Sequence, residues 1–149
     1  MIKICAVIAA AGLGTRLQNF KDNSHTKVLI KINNYSMISS QINQLSDWGI
    51  EKFVVITNPE FNDLIHHDIS KHHPEKDVTF VIQEKPLGIA HALKQSKDLV
   101  SQEDKILFVL GDNFFGENPI QNLDLDNNFE SVLFVKQVPN PEEFGVANI

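Results

Sequence analysis

The sequence predicts an α/β fold built on a mostly parallel central sheet, and three observations predict it. Apolar runs of strand length alternate with stretches of helical periodicity along the chain. The first apolar run breaks into small residues, Ala9-Ala10-Ala11-Gly12-Leu13-Gly14, which suit a buried strand opening into a ligand loop. Two further apolar runs end in an amide, Gln83, and a carboxylate, Asp112, so polar groups collect along one edge of the sheet.

The elements follow in order. Ile2–Ala9 is the first strand, and Val28–Ile32 a short extended piece. Met37, Ile38, Ile42, Leu45 and Trp48 fall at helical spacing, with Gly49 as the stop. Phe53–Thr57 is a second strand closed by Asn58-Pro59. Phe61, Leu64, Ile65 and Ile69 mark a second helix that ends near Pro74. Val78–Ile82 is a third strand. Gly88–Val100 is a third helix with Ile89, Ala92, Leu93 and Leu99 facing inward. Ile106–Leu110 and Val132–Val138 are the fourth and fifth strands. Strand and helix alternating at this pitch give βαβ units, hence a Rossmann-like three-layer α/β/α arrangement. Such sheets bind ligands at the carboxyl ends of their strands, where the chain reverses across the sheet.

At 149 residues the default is one domain, 1–149. An apolar fraction of 42% supports a packed core and excludes disorder. The net charge of −6, with no Lys/Arg cluster, argues against nucleic acid as a partner. No run approaches a membrane span, and Lys3 with the following apolar residues reads as a strand rather than a leader, so a cytoplasmic location is expected. The single cysteine, Cys5, excludes an internal disulfide and reads as a small buried hydrophobe. Gly145-Val146-Ala147-Asn148-Ile149 reads as the start of another strand, so the chain is expected to be truncated on its C-terminal side.

The loop Ala9–Leu17 has the make-up of a phosphate site. Small residues let the backbone approach an anion, and successive N–H groups form a concave nest. Arg16, and Lys27 eleven residues later, add charge. The loop lacks the Lys-Ser/Thr pair of a P-loop, and Leu17 stands where a dinucleotide fingerprint needs its third glycine. Asp112, in Leu110-Gly111-Asp112-Asn113, is either a turn cap or a ligand for a hard cation. Gln83, ahead of Pro86 and Gly88, can both donate and accept, which suits a uracil or thymine edge; its bland reading is a polar strand end.

Together these segments resemble the sugar-1-phosphate nucleotidyltransferases, most closely the glucose-1-phosphate thymidylyltransferases and their uridylyltransferase relatives. The matching pieces are Ala9–Leu17, Lys27 with Val28–Ile32, Gln83–Ala92, Leu110–Gly116 and Phe144–Val146. They occur in the family's order and span nearly the whole chain. The resemblance implies a fold of the nucleotide-diphospho-sugar transferase type. It also implies a reaction in which a sugar-1-phosphate attacks the α-phosphorus of a nucleoside triphosphate (dTTP or UTP), releasing pyrophosphate. It assigns Arg16 to pyrophosphate, Lys27 to the triphosphate oxygens and Asp112 to Mg2+. Gln83 and the Gly88 backbone would read the base, with Ala10, Ala11, Gly12, Gly14 and Thr15 beneath it and Gly145 near the sugar. No general base is needed, because the sugar phosphate is already ionised.

The sequence departs from the family at Gln18-Asn19-Phe20 and Lys31, where prolines are usual, and at Leu87-Gly88, where Asp-Gly is usual. The family's second half, with a sugar-binding Glu-Lys segment and a second metal-binding Asp, has no counterpart here, so the chain alone is expected to be inactive. Two alternatives stay open: a cytidylyltransferase acting on a small phosphorylated alcohol, and a non-catalytic module sensing a sugar nucleotide. A homo-oligomer is compatible with the sequence, since an exposed sheet edge invites association. His66, His67, His72 and His73 read as a solvated helix face, His25 as loop decoration, Trp48 and Phe53 as packing residues, and Asp124–Asp126 as a surface loop.

Overall fold

The run Ile4-Cys5-Ala6-Val7-Ile8-Ala9 carries no polar side chain, so it can be covered on both faces and take an inner place in a parallel sheet. The computed structural model describes residues 2–12, 26–101, 105–126 and 130–143. In chain order its elements are β1 (Ile4–Ala9), a 3-10 turn (Lys27–Leu29), β2 (Lys31–Ile32), β3 (Tyr35–Ser36), α1 (Met37–Asp47), β4 (Lys52–Thr57), α2 (Asn62–His72), β5 (Asp77–Ile82), α3 (Ile89–Gln95), α4 (Lys97–Val100), β6 (Lys105–Leu110) and a second 3-10 turn (Pro141–Glu143). The main sheet has the order β5-β4-β1-β6, with every pairing parallel. From β1 the chain winds outward through β4 to β5. It then crosses back to place β6 on the other side of β1. The reversal lies between β1 and β6, the position at which open α/β sheets bind ligands.

Strand period separates two faces. Cys5, Val7, Val54 and Ile56 form one apolar cluster with Ala92 and Val100, so α3 and α4 cover that face. On the other face Ala6, Ile8, Phe53 and Val55 are fully buried, as are Ile38, Ile42, Leu45 and Ile65 of α1 and α2. There the His66 ring meets Phe80 at 4.6 Å between centroids. Helix α1 starts on an N-cap: Ser36 Oγ accepts from Ser39 N at 3.1 Å. It stops at Gly49, whose φ of 87° favours glycine. Among the described residues no helix is long and apolar enough to cross a membrane.

Contacts divide the chain into two units, Met1–Gly116 and Glu117–Ile149. The first holds the sheet and the helices. The described residues of the second form turns and the 3-10 turn at Pro141–Glu143.

Four expectations need correction. Val132–Val138 forms no ladder; Val132, Leu133, Phe134 and Val135 are exposed. High β-propensity makes a strand only where a partner strand supplies the hydrogen bonds. The third helix is two helices broken at Ser96, whose hydroxyl donates to Leu93 O at 2.7 Å. The piece at Val28–Ile32 is a 3-10 turn running into β2 rather than one extended segment. The helical faces are also narrower than periodicity alone gives: Leu64, Ile89 and Leu93 are exposed, and Ala92 carries the contact of α3 with the sheet. The start of a strand at Gly145–Ile149 lies outside the described residues.

Candidate functional site

The carboxyl edge of the sheet is laced by backbone hydrogen bonds that continue the ladders past the strand ends. Ala10 N donates to Ile56 O at 2.8 Å, Gly111 N to Ala9 O at 2.8 Å and Gln83 N to Thr57 O at 2.7 Å. Asn58, just after β4, adds a side-chain brace. Its Nδ2 donates to Ala11 O at 3.0 Å, and its Oδ1 accepts from Phe61 N at 2.8 Å. One buried amide therefore fixes both the loop after β1 and the approach to α2. These bonds place residues distant in sequence on a single rim.

A cleft of about 520 Å³ opens along that rim, within the usual range for a small-molecule site. Ala10, Ala11 and Gly12 form one wall, Gln83, Pro86 and Gly88 another, and Lys27 and Asp112 the polar end. Seven residues expected to act together, Ala10, Ala11, Gly12, Lys27, Gln83, Gly88 and Asp112, thus share one cavity. A Cβ at Gly12 would meet nothing within 4 Å, so the open space beside this backbone is free for a ligand. Gly14, Thr15, Arg16, His25 and Gly145 lie outside the described residues.

At the polar end Lys27 Nζ donates to Asp112 Oδ2 at 2.7 Å. The side chains are 43% and 33% exposed, so the pair is a partly solvated one that exchanges partners at low cost. Asp112 is held in place from α1. Gln41, fully buried, donates through Nε2 to Leu110 O and to Asn113 O, each at 2.8 Å. Gln44 Nε2 donates to Phe115 O at 2.7 Å, and Gln44 Oε1 accepts from Phe115 N at 3.4 Å. Trp48 meets the Phe115 ring edge-on at 5.4 Å. Two turns of α1 and its C-cap residue Trp48 therefore clamp the loop on both sides of the carboxylate. Gly111 completes the fit, since a Cβ there would stand 3.1 Å from both Ala9 O and Val28 Cγ1.

Gln83 is buried, at 5% exposure. Its Nε2 lies 2.8 Å from His91 Nδ1 and 3.3 Å from Gly88 O. Gly88 caps α3 with φ 96° and ψ 179°, a conformation open essentially to glycine. That turn brings the carbonyl of Gly88 back toward Gln83.

Sequence reasoning missed Asn58, Gln41 and Gln44, and assigned no role to His91. Gln41 carried the one available signal, a polar residue beside Ile42 on the apolar stripe of α1. The solvated reading of the histidines holds for His66 and His67, which are exposed, and fails for His73. His73 is buried, stacks on Tyr35 at 6.5 Å, and donates from Nε2 to Ser39 O at 3.1 Å. Burial holds its pKa below 6.5, against the hydrogen bond to Ser39, which favours the charged form. His72 Nδ1 lies 2.9 Å from Asp68 O, and Asp68 Oδ2 accepts from Ser39 Oγ at 2.7 Å.

Comparison with known proteins gives a consistent result. The Nucleotidyl transferase family matches residues 5–149. The low-salt glycan biosynthesis nucleotidyltransferase Agl11 of Haloferax volcanii is 31% identical, over 96% of this chain and 40% of its own length. The UTP–glucose-1-phosphate uridylyltransferase AglF of the same organism is 30% identical, over 76% of this chain and 45% of its own. Among solved structures, a Bacillus anthracis protein provisionally assigned as a glucose-1-phosphate thymidylyltransferase, in complex with sucrose, superposes with a TM-score of 0.66 at 30% identity. It is covered over 76% of this chain and 46% of its own. The chain therefore spans less than half the length of each of these relatives.

Proposed function

The chain belongs to the Nucleotidyl transferase family, and from that premise we propose that it forms the nucleotide-binding portion of a sugar-1-phosphate nucleotidyltransferase that uses dTTP or UTP. The observation that carries this reading is the meeting of Gly12, Lys27, Gln83, Gly88 and Asp112 in one cleft at the sheet's switch point. The relatives support the choice of substrates. One is a uridylyltransferase using UTP and glucose 1-phosphate, and another is assigned as a thymidylyltransferase.

On this reading a phosphate oxygen of the sugar 1-phosphate attacks the α-phosphorus. The bond from the α-phosphorus to the bridging α–β oxygen breaks, and its electron pair leaves with pyrophosphate. No proton need be removed from the attacking oxygen, so the residues position and neutralise rather than act as acid or base. The Ala10–Gly12 backbone cradles the nucleotide, a role the family resemblance extends to Gly14 and Thr15. Lys27 binds triphosphate oxygens and Arg16 the departing pyrophosphate. Gln83 and the Gly88 backbone meet the base, and the family resemblance assigns Gly145 to the sugar.

Asp112 would hold magnesium. Its carboxylate is a hard oxygen donor at the cleft wall. Among the described residues no group of three or more His, Cys, Asp or Glu side chains is arranged for a metal. One carboxylate with the remaining ligands from substrate phosphates and water is the usual way this ion is bound. When bound it would neutralise phosphate charge. Lys27 then turns from Asp112 to the triphosphate. A cytoplasmic setting belongs to the same proposal, because both substrates are highly charged phosphates.

The test is calorimetric titration of the chain with dTTP, UTP, CTP, ATP and GTP in magnesium, alongside Arg16→Ala and Asp112→Ala. Selective binding of dTTP or UTP, weakened by both substitutions, supports the reading. Preference for CTP would favour a cytidylyltransferase. Tight binding of a finished sugar nucleotide, with no binding of any triphosphate, would favour a sensing module.

A further inference from the structure

We propose that His91 is a positioning residue that locks the Gln83 amide with its carbonyl oxygen as the group offered to a ligand. The site thereby selects bases whose pairing-edge ring nitrogen carries a hydrogen, as in uracil and thymine. This inference rests on the nucleotide reading above and deepens it.

A Gln amide has two donor hydrogens on Nε2 and an acceptor at Oε1. Gly88 O can only accept, so the Gln83 atom 3.3 Å from it is the nitrogen. The same nitrogen lies 2.8 Å from His91 Nδ1. Both amide hydrogens are thus directed at protein acceptors, and the hydrogen-bonding capacity left on Gln83 is that of its carbonyl oxygen.

This arrangement requires a bare lone pair on His91 Nδ1, hence a neutral ring with its hydrogen on Nε2. A second amide approaches the ring, since Gln95 Nε2 lies 3.2 Å from His91 Nε2. A neutral imidazole has one acceptor nitrogen, so the two amides compete for it. The Gln83 contact is the shorter by 0.4 Å. Gln95 Nε2 also has the carbonyl oxygen of His91 at 3.2 Å as an alternative acceptor. The Gln83 contact therefore sets the tautomer.

An outward carbonyl oxygen pairs with the N3–H of uracil or thymine. It faces a lone pair at N3 of cytosine and N1 of adenine, and neither can donate to it. Without an acceptor at Nδ1 only the longer contact to Gly88 O, at 3.3 Å, opposes a turn of the amide that offers its NH2 group, which suits cytosine. A Gln83 on its own is ambivalent between the two classes. His91 supplies the shorter of the two contacts that remove the ambivalence, and it is not among the residues lining the cleft.

The test combines a nucleotide panel with a tautomer measurement on the 149-residue chain. UTP, dTTP and CTP are titrated against wild type, His91→Asn and His91→Phe, with thermal melts as a folding control. Asn offers an oxygen close to the position of Nδ1, and Phe offers none. The expected result is a preference for UTP or dTTP over CTP that His91→Asn keeps and His91→Phe reduces about tenfold, the ratio one hydrogen bond commands. Long-range nitrogen NMR of the unliganded wild type should show hydrogen on Nε2 and a bare Nδ1. A hydrogen on Nδ1 overturns the proposal whatever binds. So does a wild-type preference that survives unchanged in a folded His91→Phe chain. Binding of no triphosphate by a wild type with the expected tautomer overturns the nucleotide reading itself, and the selectivity claim with it.

Discussion

Lys27 Nζ and Asp112 Oδ2 stand 2.7 Å apart although 85 residues separate them in sequence. The ammonium comes from the turn before β2 and the carboxylate from the loop after β6. Being partly solvated, the pair adds little to stability, about 0–1 kcal/mol. Its worth lies in holding opposite charges ready for a phosphate and a cation. Lys27→Met is expected to leave the melting temperature nearly unchanged and to weaken triphosphate binding about tenfold or more, the loss of a charge-assisted hydrogen bond. Asp112→Asn should remove the strengthening of nucleotide binding by magnesium while leaving magnesium-free binding intact. Calorimetry with magnesium or with chelator reads both effects.

The glycines should separate by mechanism. Gly12→Ala places a methyl group in open space, so stability should hold while nucleotide affinity falls. Gly111→Ala forces a Cβ to 3.1 Å from a backbone oxygen and a Val28 methyl, which should cost about 1–3 kcal/mol. Gly88→Ala meets no neighbour, yet φ 96° strains any side chain by about 1–3 kcal/mol. Melting curves beside nucleotide titrations distinguish the three. If Gly12→Ala binds as wild type does, the backbone there makes no close approach to the ligand.

Part of this architecture was legible in the sequence. Periodicity located the four parallel strands and both long helices, because apolar spacing reports burial directly. Gly12, Gln83 and Asp112 were legible as small or polar residues that follow apolar strands, Gly88 as the glycine of the loop after Gln83, and Lys27 by its spacing from the glycine loop. The clamp by Gln41 and Gln44 was not, because it depends on which backbone carbonyls a glutamine happens to face. That is a property of packing between α1 and a loop some 70 residues away, and no local pattern encodes it. The expected fifth strand failed for a related reason. Val132–Val138 has the right residues, but a strand also needs a partner edge.

The Gln41 clamp carries its own prediction. Gln41→Leu keeps the volume and removes the donors to Leu110 O and Asn113 O. Leu110 O keeps Asn113 N as a donor and Asn113 is exposed, so the lost bonds should lower stability by about 0.5–1.5 kcal/mol. The loop that carries Asp112 should loosen at the same time, so magnesium should lose more of its effect on nucleotide binding than nucleotide alone loses. Gln44→Ala should be milder, because Gln44 is only half-buried. Denaturant melts and magnesium titrations of the two variants check this. Equal losses with and without magnesium would mean that the clamp serves stability alone.

His73 gives a dependence on pH whose sign is fixed by its surroundings. Burial lowers its folded pKa from 6.5, outweighing the Ser39 carbonyl and Glu75, which favour the charged form; His72 and Lys76 act with burial. The unfolded chain therefore binds the proton first as pH falls. Stability should be fully present above about 6.5 and decline as the medium is acidified through that value. The decline should flatten once the folded histidine itself becomes protonated, and its steepest slope for one group is about 1.4 kcal/mol per pH unit. His73→Phe keeps a ring against Tyr35 but loses the hydrogen bond to Ser39, so it should melt lower at neutral pH and show a shallower fall on acidification. Melting temperatures of both chains between pH 8 and pH 5 measure the difference. A variant that falls as steeply as wild type would place the titrating group elsewhere.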